Sequence, residues 1–182
     1  TIRRLLHVDK TIFDITHILF SHFHPDHTAE LVPLIFATKY PNAHRRQTPL
    51  TIIAGNGLNT FLKKLKSVYN NWIDLPSGML DTIEMDTAQF DSRTFSDFVL
   101  ETAPVKHNPE SIAYRVNSHQ NKSIVYSGDT DFCESLIQLA HQTDVFICES
   151  SHPDHLKLAG ILLLSWAGGI PARANREPWI FT

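Results

Sequence analysis

Cysteine is scarce in this sequence: Cys133 and Cys148 are the only two among 182 residues. Two cysteines are too few for a disulfide framework, and neither lies in a CxxC pair that would suit a zinc knuckle. The longest nearly apolar run, residues 161–170, falls short of the roughly 18 to 20 residues that a membrane-spanning helix needs. No positively charged leader with a cleavage site precedes residue 20. These absences predict a soluble protein in a reducing cytoplasm.

Clustered positive charge is also lacking. The formal net charge is -3, and Arg3-Arg4 and Arg45-Arg46 are the only adjacent arginine pairs. A chain without a basic stripe gives no indication of tight binding to a long polyanion such as nucleic acid. Hydrophobic residues make up 42% of the chain, which is enough for a substantial core. Length and composition therefore predict one globular domain over residues 1–182.

Hydrophobic periodicity predicts strands and helices that alternate at both ends of the chain, while strands follow one another in the middle. The predicted strands are residues 15–21, 50–54, 98–105, 111–117, 122–128, 144–150 and 178–182. The predicted helices are residues 1–8, 27–40, 57–70, 131–142 and 160–174. This pattern is typical of a layered α/β architecture in which helices cover sheets.

Histidine, in contrast to cysteine, is abundant, with eleven copies, three of them in the stretch SHFHPDH at residues 21–27. On an extended segment, side chains two residues apart point the same way. His22 and His24 can therefore present two imidazoles to one point, while Phe23 turns into the protein. This local convergence predicts a metal site at the end of the strand.

The second half of the stretch extends that argument to a neighbouring point. Pro25 ends the extended segment and turns the chain. Asp26 and His27, at the start of the next helix, can then aim at a second point a few ångströms away. One strand end could in this way serve two adjacent metals.

The pattern His-x-His-x-Asp-His resembles the signature of the metallo-β-lactamase superfamily of metal-dependent hydrolases. Two later segments also resemble that family: residues 103–116 carry a third histidine, and residues 125–130 carry an aspartate. The layout of residues 49–65 and 144–151 is most similar to the branch that contains ribonuclease Z and relatives acting on smaller phosphodiesters or sulfate esters. The resemblance implies an α/β fold of the metallo-β-lactamase-like αββα sandwich type.

The resemblance also implies two divalent metal ions, most simply zinc, with manganese or iron as alternatives. One ion would be held by three histidines, which are His22, His24 and His107. The second ion would be held by Asp26 and His27, and Asp129 would bridge both ions. Asp26 would also be the catalytic carboxylate. A hydroxide shared by the ions would attack a phosphodiester or related ester.

Two features depart from the family pattern. Where the ribonuclease Z-like branch has a histidine that assists the leaving group, this chain has Ile161, which cannot move a proton. The pattern also implies strands before residues 1–8 and a last histidine ligand beyond Thr182. We therefore expect an incomplete fold without those amino-terminal strands and the carboxy-terminal strand and loop, and weak catalysis. The alternative is a non-catalytic, degenerate remnant that keeps partial metal binding.

The remaining expectations concern substrate and association. The short interval from His107 to Asp129 leaves no room for a long substrate-gripping arm, which favours a small phosphodiester or ester over transfer RNA. The long helix-rich interval between His27 and His107 fits the ribonuclease Z-like branch better than a β-lactamase proper. Missing strands would leave a sheet edge unpaired, which favours a homodimer. The second cluster, SHPDH at residues 151–155, lacks a His-x-His pair, so His152 and His155 are predicted to lie in a solvated loop rather than in an auxiliary metal site.

Overall fold

The computed structural model of the chain describes residues 2–40, 45–148 and 179–181. The chain forms two compact units, residues 1–84 and 85–182, and each is built around one sheet. Both sheets carry helices, so the predicted mixed α/β class is confirmed. Within the described part of the chain, none of the helices has both the length and the apolar character of a membrane-spanning segment.

The first unit contains a three-stranded sheet with the strand order β1-β2-β3. Strands β1 and β2 run parallel, with Ile18 opposite Ile52, and the helices between them provide the crossover that a parallel pair requires. Its described elements are α1 (Ile2–Leu5), a 3-10 turn (Leu6–Val8), β1 (His17–Phe20), α2 (Pro25–Thr28), α3 (Leu31–Lys39), β2 (Leu50–Gly55), α4 (Leu58–Tyr69), a 3-10 turn (Asn70–Ile73) and β3 (Leu80–Met85).

Helix α4 shows how the sequence builds the core of this unit. Leu58, Phe61, Leu62 and Leu65 recur at helical spacing and face the buried cluster that includes residues of β2. The helix begins after Gly57, which has a φ of 104° and no side chain to cap the first turn. A side chain from β3 replaces that cap: Oε1 of Glu84 accepts the backbone N–H groups of Gly57 at 3.0 Å and Asn59 at 2.9 Å.

The second unit contains a six-stranded sheet with the order β4-β5-β6-β7-β8-β9. Strands β4 to β7 are antiparallel, and β7, β8 and β9 are parallel. Helix α5 connects the parallel pair β7 and β8, and it packs Leu136 and Leu139 against Val125 and Phe146 of those strands. The described elements are β4 (Asp91–Thr94), β5 (Phe98–Pro104), β6 (Ile112–Ser118), β7 (Ser123–Tyr126), α5 (Glu134–Ala140), β8 (Val145–Cys148) and β9 (Trp179–Phe181).

The sequence predicted most of these elements but missed two strands. Strand β3 was not predicted, and neither was β4, which has no apolar residue and forms because it pairs with β5. The helix predicted over residues 27–40 is two helices, α2 and α3. The helix predicted over residues 160–174, the second histidine cluster and Ile161 lie outside the described residues.

Asp144 ties the start of β7 to the turn before β8, and its removal should weaken the second unit. Its carboxylate accepts the N–H of Ser123 at 2.8 Å, and Lys122 Nζ lies 3.0 Å away; these contacts lower the pKa of Asp144. A lowered folded-state pKa stabilises the fold above the ordinary value of 3.8, and that gain is lost as the pH falls through the folded-state pKa. We expect Asp144→Asn to cost about 1 kcal/mol at pH 7.

Urea unfolding of wild type and Asp144→Asn between pH 3 and pH 7 measures this effect. The difference in unfolding free energy should shrink in the acid range, where wild type loses the same contacts. Asp97→Asn is the matched control, because Asp97 is exposed in the turn before β5. A pH-independent difference between wild type and Asp144→Asn would contradict the prediction.

Candidate metal centre

In the first unit, two histidines converge directly after β1, as the alternation of side chains predicts. His22 is fully buried and His24 is partly exposed. Their ring centroids lie 4.5 Å apart with an interplanar angle of 79°, and each residue offers a ring nitrogen within 4.8 Å of the other's. Because His24 keeps an extended backbone, with φ -61° and ψ 150°, the convergence results from local chain geometry.

Phe23, between the two histidines, points into the first unit. Its ring stacks on Phe61 with centroids 4.8 Å apart and planes 13° from parallel, and it packs against the core cluster of that unit. A Cβ atom at Gly57 would lie 3.6 Å from Cε2 of Phe23, so the chain before α4 also contacts this ring. The packing of Phe23 therefore holds the backbone that presents both imidazoles.

Helix α2 presents the third histidine of the stretch. Pro25 is its first residue, and Oγ1 of Thr28 donates a hydrogen bond to the His24 carbonyl at 2.9 Å. The His27 ring lies 4.2 Å from the His22 ring, centroid to centroid. Nε2 of His27 is 3.4 Å from Oδ2 of Asp26, whose side chain is 76% exposed. The short helix therefore sets an accessible carboxylate beside a partly buried imidazole.

Ser21 orients the buried histidine. Its Oγ atom lies 3.1 Å from Nδ1 of His22, within hydrogen-bond distance, and Ser21 itself is buried. In metal sites, a histidine with one ring nitrogen held in this way binds through the other nitrogen, which for His22 would be Nε2. Sequence reasoning missed Ser21, although its position next to the signature was a usable signal.

In the second unit, His107 and Asp129 lie together. His107 follows β5 and Asp129 follows β7, and the sheet order places these two strands on either side of β6. Nε2 of His107 is 4.0 Å from Oδ2 of Asp129, and both side chains are largely buried. An imidazole and a carboxylate thus converge, although no short segment of the sequence indicates that these two residues are close in space.

Contacts of Lys106 with Thr130 and Asp131, which we call the clip, hold the loops of His107 and Asp129 together. The N–H of Asp131 donates to the Lys106 carbonyl at 2.9 Å, and the N–H of Lys106 donates to Oγ1 of Thr130 at 3.2 Å. The Lys106 ammonium also pairs with the Asp131 carboxylate at 3.0 Å. Thr130 is fully buried. Sequence reasoning missed the clip, because its partners are 24 and 25 residues apart.

Loss of the Thr130 hydroxyl should weaken metal binding through the loops that carry His107 and Asp129. We expect Thr130→Val to raise the zinc dissociation constant about 10-fold, because the loop that carries His107 loses the hydrogen bond at Lys106. Competition with a chromophoric chelator measures the constant. Thr143→Val is the control, because this buried hydroxyl donates to the Val145 carbonyl and not to either loop. Equal zinc affinity in Thr130→Val and wild type would contradict the prediction.

The side chains that each unit contributes are donor types that bind divalent transition metals. The first unit offers imidazole nitrogens from His22, His24 and His27 and a carboxylate from Asp26. The second unit offers one imidazole and one carboxylate. Imidazole with carboxylate suits zinc, and also manganese or iron, while the absence of cysteine from both sets argues against a purely structural zinc site.

Comparison with known proteins supplies the family. A family model described as "Anti-Pycsar protein Apyc1" matches residues 1–158. An uncharacterized protein of Mycobacterium tuberculosis is 30% identical over 172 aligned residues, which cover 91% of this chain and 60% of that protein. The chain thus spans about three fifths of the length of this relative.

Solved structures agree with this result. The metallo-β-lactamase fold protein YhfI of Bacillus subtilis superposes with a TM-score of 0.66 at 20% identity, covering 88% of this chain and 65% of that one. The short form of human tRNase Z superposes with a TM-score of 0.60 at 19% identity, covering 85% and 64%. The predicted fold and the predicted resemblance to the ribonuclease Z-like branch are confirmed. The chain therefore belongs to the Apyc1 family and has the metallo-β-lactamase fold.

Proposed function

We propose that the chain is a metal-dependent hydrolase that cleaves a phosphodiester or a related ester. The observation that carries the proposal is the convergence of three imidazoles at the end of β1, with His22 at 4.5 Å from His24 and 4.2 Å from His27 between ring centroids. Three imidazoles that converge at the end of one strand present the nitrogen donors that divalent transition metals bind. Family membership supports the same reading.

The proposed ligand set follows the family pattern. According to this pattern, one ion would be held by His22, His24 and His107 and another by Asp26 and His27, and Asp129 would serve both. Zinc is the proposed metal, since nitrogen donors predominate. When bound, such ions make water acidic enough to act as a nucleophile near neutral pH and stabilise an anionic oxygen.

The protein's own residues position the reactants. Asp26 is the proposed catalytic carboxylate: its side chain is 76% exposed, so it can contact a water molecule that enters with the substrate. His27 Nε2, at 3.4 Å from Oδ2 of Asp26, restrains that carboxylate. Ser21 contacts the His22 ring, and the hydrogen bond from the Lys106 N–H to Thr130 restrains the loop that carries His107.

A small substrate fits better than transfer RNA. Residues 108–128, between two proposed ligands, consist of β6, β7 and short turns, so this interval carries no arm that could grip a long substrate. The formal net charge of -3 provides no excess of positive charge for a polyanion. Location in the cytoplasm, organisation as one domain and association as a homodimer also remain predictions of the sequence.

Hydrolysis of bis(p-nitrophenyl) phosphate by the zinc-loaded protein tests the proposal. We expect turnover of this diester to exceed that of the monoester p-nitrophenyl phosphate, and His24→Ala to abolish it. His141→Ala is the control, because His141 is exposed at the end of α5. Turnover that survives in His24→Ala, or that is absent although zinc is bound, would refute the proposed activity.

The second candidate is a non-catalytic member of the family that keeps metal binding. Ile161 favours it, because the resemblance places at this position a histidine that assists the leaving group. This candidate predicts bound zinc without turnover. Ile161→His then separates the two cases, because an increase in diester hydrolysis would show that the rest of the machinery is intact.

A further inference from the structure

A cavity of about 300 Å³ in the first unit lies beside the end of α3. None of the described residues that line it is a candidate metal ligand. Its described walls combine cationic side chains with apolar ones, namely Lys39, Arg45 and Arg46 with Leu75, Pro76 and Met79. None of the described residues that line the cavity is acidic. Such a lining is complementary to a small molecule with an anionic head and an apolar body.

Arg46 brings a buried positive charge to this cavity. The residue is only 5% exposed, and burial lowers the pKa of its guanidinium. Two of its nitrogens donate to main-chain carbonyls, Nη1 to Ile15 and Nη2 to Ile12, each at 2.5 Å. Nε has no hydrogen-bond partner among the described residues, and no described carboxylate pairs with Arg46. A buried charge that only carbonyl oxygens contact is poorly compensated.

Lys39 adds a second positive charge, which acts with the closer Lys66 to lower the pKa of the single carboxylate of Asp74. Its Nζ donates a hydrogen bond to the Asn71 carbonyl and lies 5.5 Å from the centre of the Tyr40 ring. The nearby carboxylate of Asp74 is engaged by Lys66 at 2.5 Å, the contact that chiefly lowers the pKa of Asp74. The lining of the cavity therefore remains positive overall.

We propose that this cavity binds a small organic anion, a phosphate monoester or a carboxylate. The oxyanion contacts the guanidinium groups of Arg45 and Arg46 and the ammonium of Lys39. The apolar body contacts Leu75, Pro76 and Met79. Charge-assisted hydrogen bonds to the oxyanion supply the counter-charge that Arg46 otherwise lacks, so binding should also stabilise the first unit. The site is separate from the proposed hydrolase chemistry and does not depend on it.

Calorimetric titration of the full chain with phenyl phosphate and with benzoate tests the proposal. We expect at least one of them to bind saturably, with a dissociation constant below about 10 mM. The double variant Lys39→Gln/Arg45→Gln should weaken binding about tenfold or more. Met79→Trp, which fills the cavity without changing charge, should also weaken binding. Lys63→Gln/Lys64→Gln is the charge-matched control, since both side chains are exposed on α4.

The His22→Ala variant separates this cavity from the metal-binding residues. Binding retained in His22→Ala and lost in the cavity variants supports the proposal. Tighter binding of phenyl phosphate then identifies a phosphate ligand, and tighter binding of benzoate a carboxylate. Binding that His22→Ala abolishes, binding that the cavity variants leave unchanged, or no saturable binding of either probe overturns it.

Discussion

Replacement of His22 by alanine is expected to remove most of the metal that the folded chain binds. His22 is the most buried of the candidate ligands of the first unit, and its ring centroid lies within 4.5 Å of that of His24 and 4.2 Å of that of His27. Ser21 already holds this ring in one orientation, so its deletion removes a preorganised nitrogen donor. A mobile side chain cannot replace such a donor at the same affinity. We expect the affinity for zinc to fall at least about 100-fold.

Mass spectrometry of the native protein measures metal ions per folded chain. Wild type should carry close to two tightly held ions if the family's dinuclear centre forms, and one or none if the second position is too weak. His141→Ala is the control, because it removes a histidine that is not a candidate ligand. Circular dichroism verifies that each variant is folded. Equal metal content in folded His22→Ala and wild type would contradict both the assignment of His22 and the proposed centre.

Local geometry made the first half of the candidate site predictable. The convergence of His22 and His24 needs only an extended backbone, and the turn that follows needs only Pro25 at the start of α2. The spacing of apolar residues likewise predicted α4 and the strands β5 to β7, because periodicity reports which face of an element is buried. Where a few residues that are neighbours in the sequence determine the local structure, the sequence was sufficient to predict that structure.

Contacts between distant residues explain what the sequence did not predict. Thr130 and Asp131 secure Lys106 across an interval of 24 and 25 residues. Arg46 binds the carbonyls of Ile15 and Ile12, which precede it by 31 and 34 residues. Strand β4 is polar throughout and forms only because β5 offers it a hydrogen-bonding edge. None of these partners can be identified from a local pattern of hydrophobic and polar residues.

Phe23→Ala is expected to lower both the stability of the first unit and its affinity for metal. The ring stacks on Phe61 and packs against the core, so its loss leaves a cavity beside the segment that carries His22 and His24. For a partly buried phenylalanine we expect a cost of about 2 to 3 kcal/mol in the free energy of unfolding. The histidines keep their chemistry but lose the packing that aligns their backbone, so zinc should bind more weakly.

Urea unfolding of the metal-free protein gives the stability cost, and chelator competition under folding conditions gives the zinc affinity. Phe23→Leu should recover most of both quantities, because an apolar side chain again fills the space beside Phe61. Phe90→Ala is the control: Phe90 is 46% exposed, so its removal should change the free energy of unfolding by less than about 0.5 kcal/mol. A stability loss in Phe23→Ala with unchanged zinc affinity would mean that the chain fixes the two imidazoles without this ring. The alignment would then depend on the backbone of β1 and α2 alone.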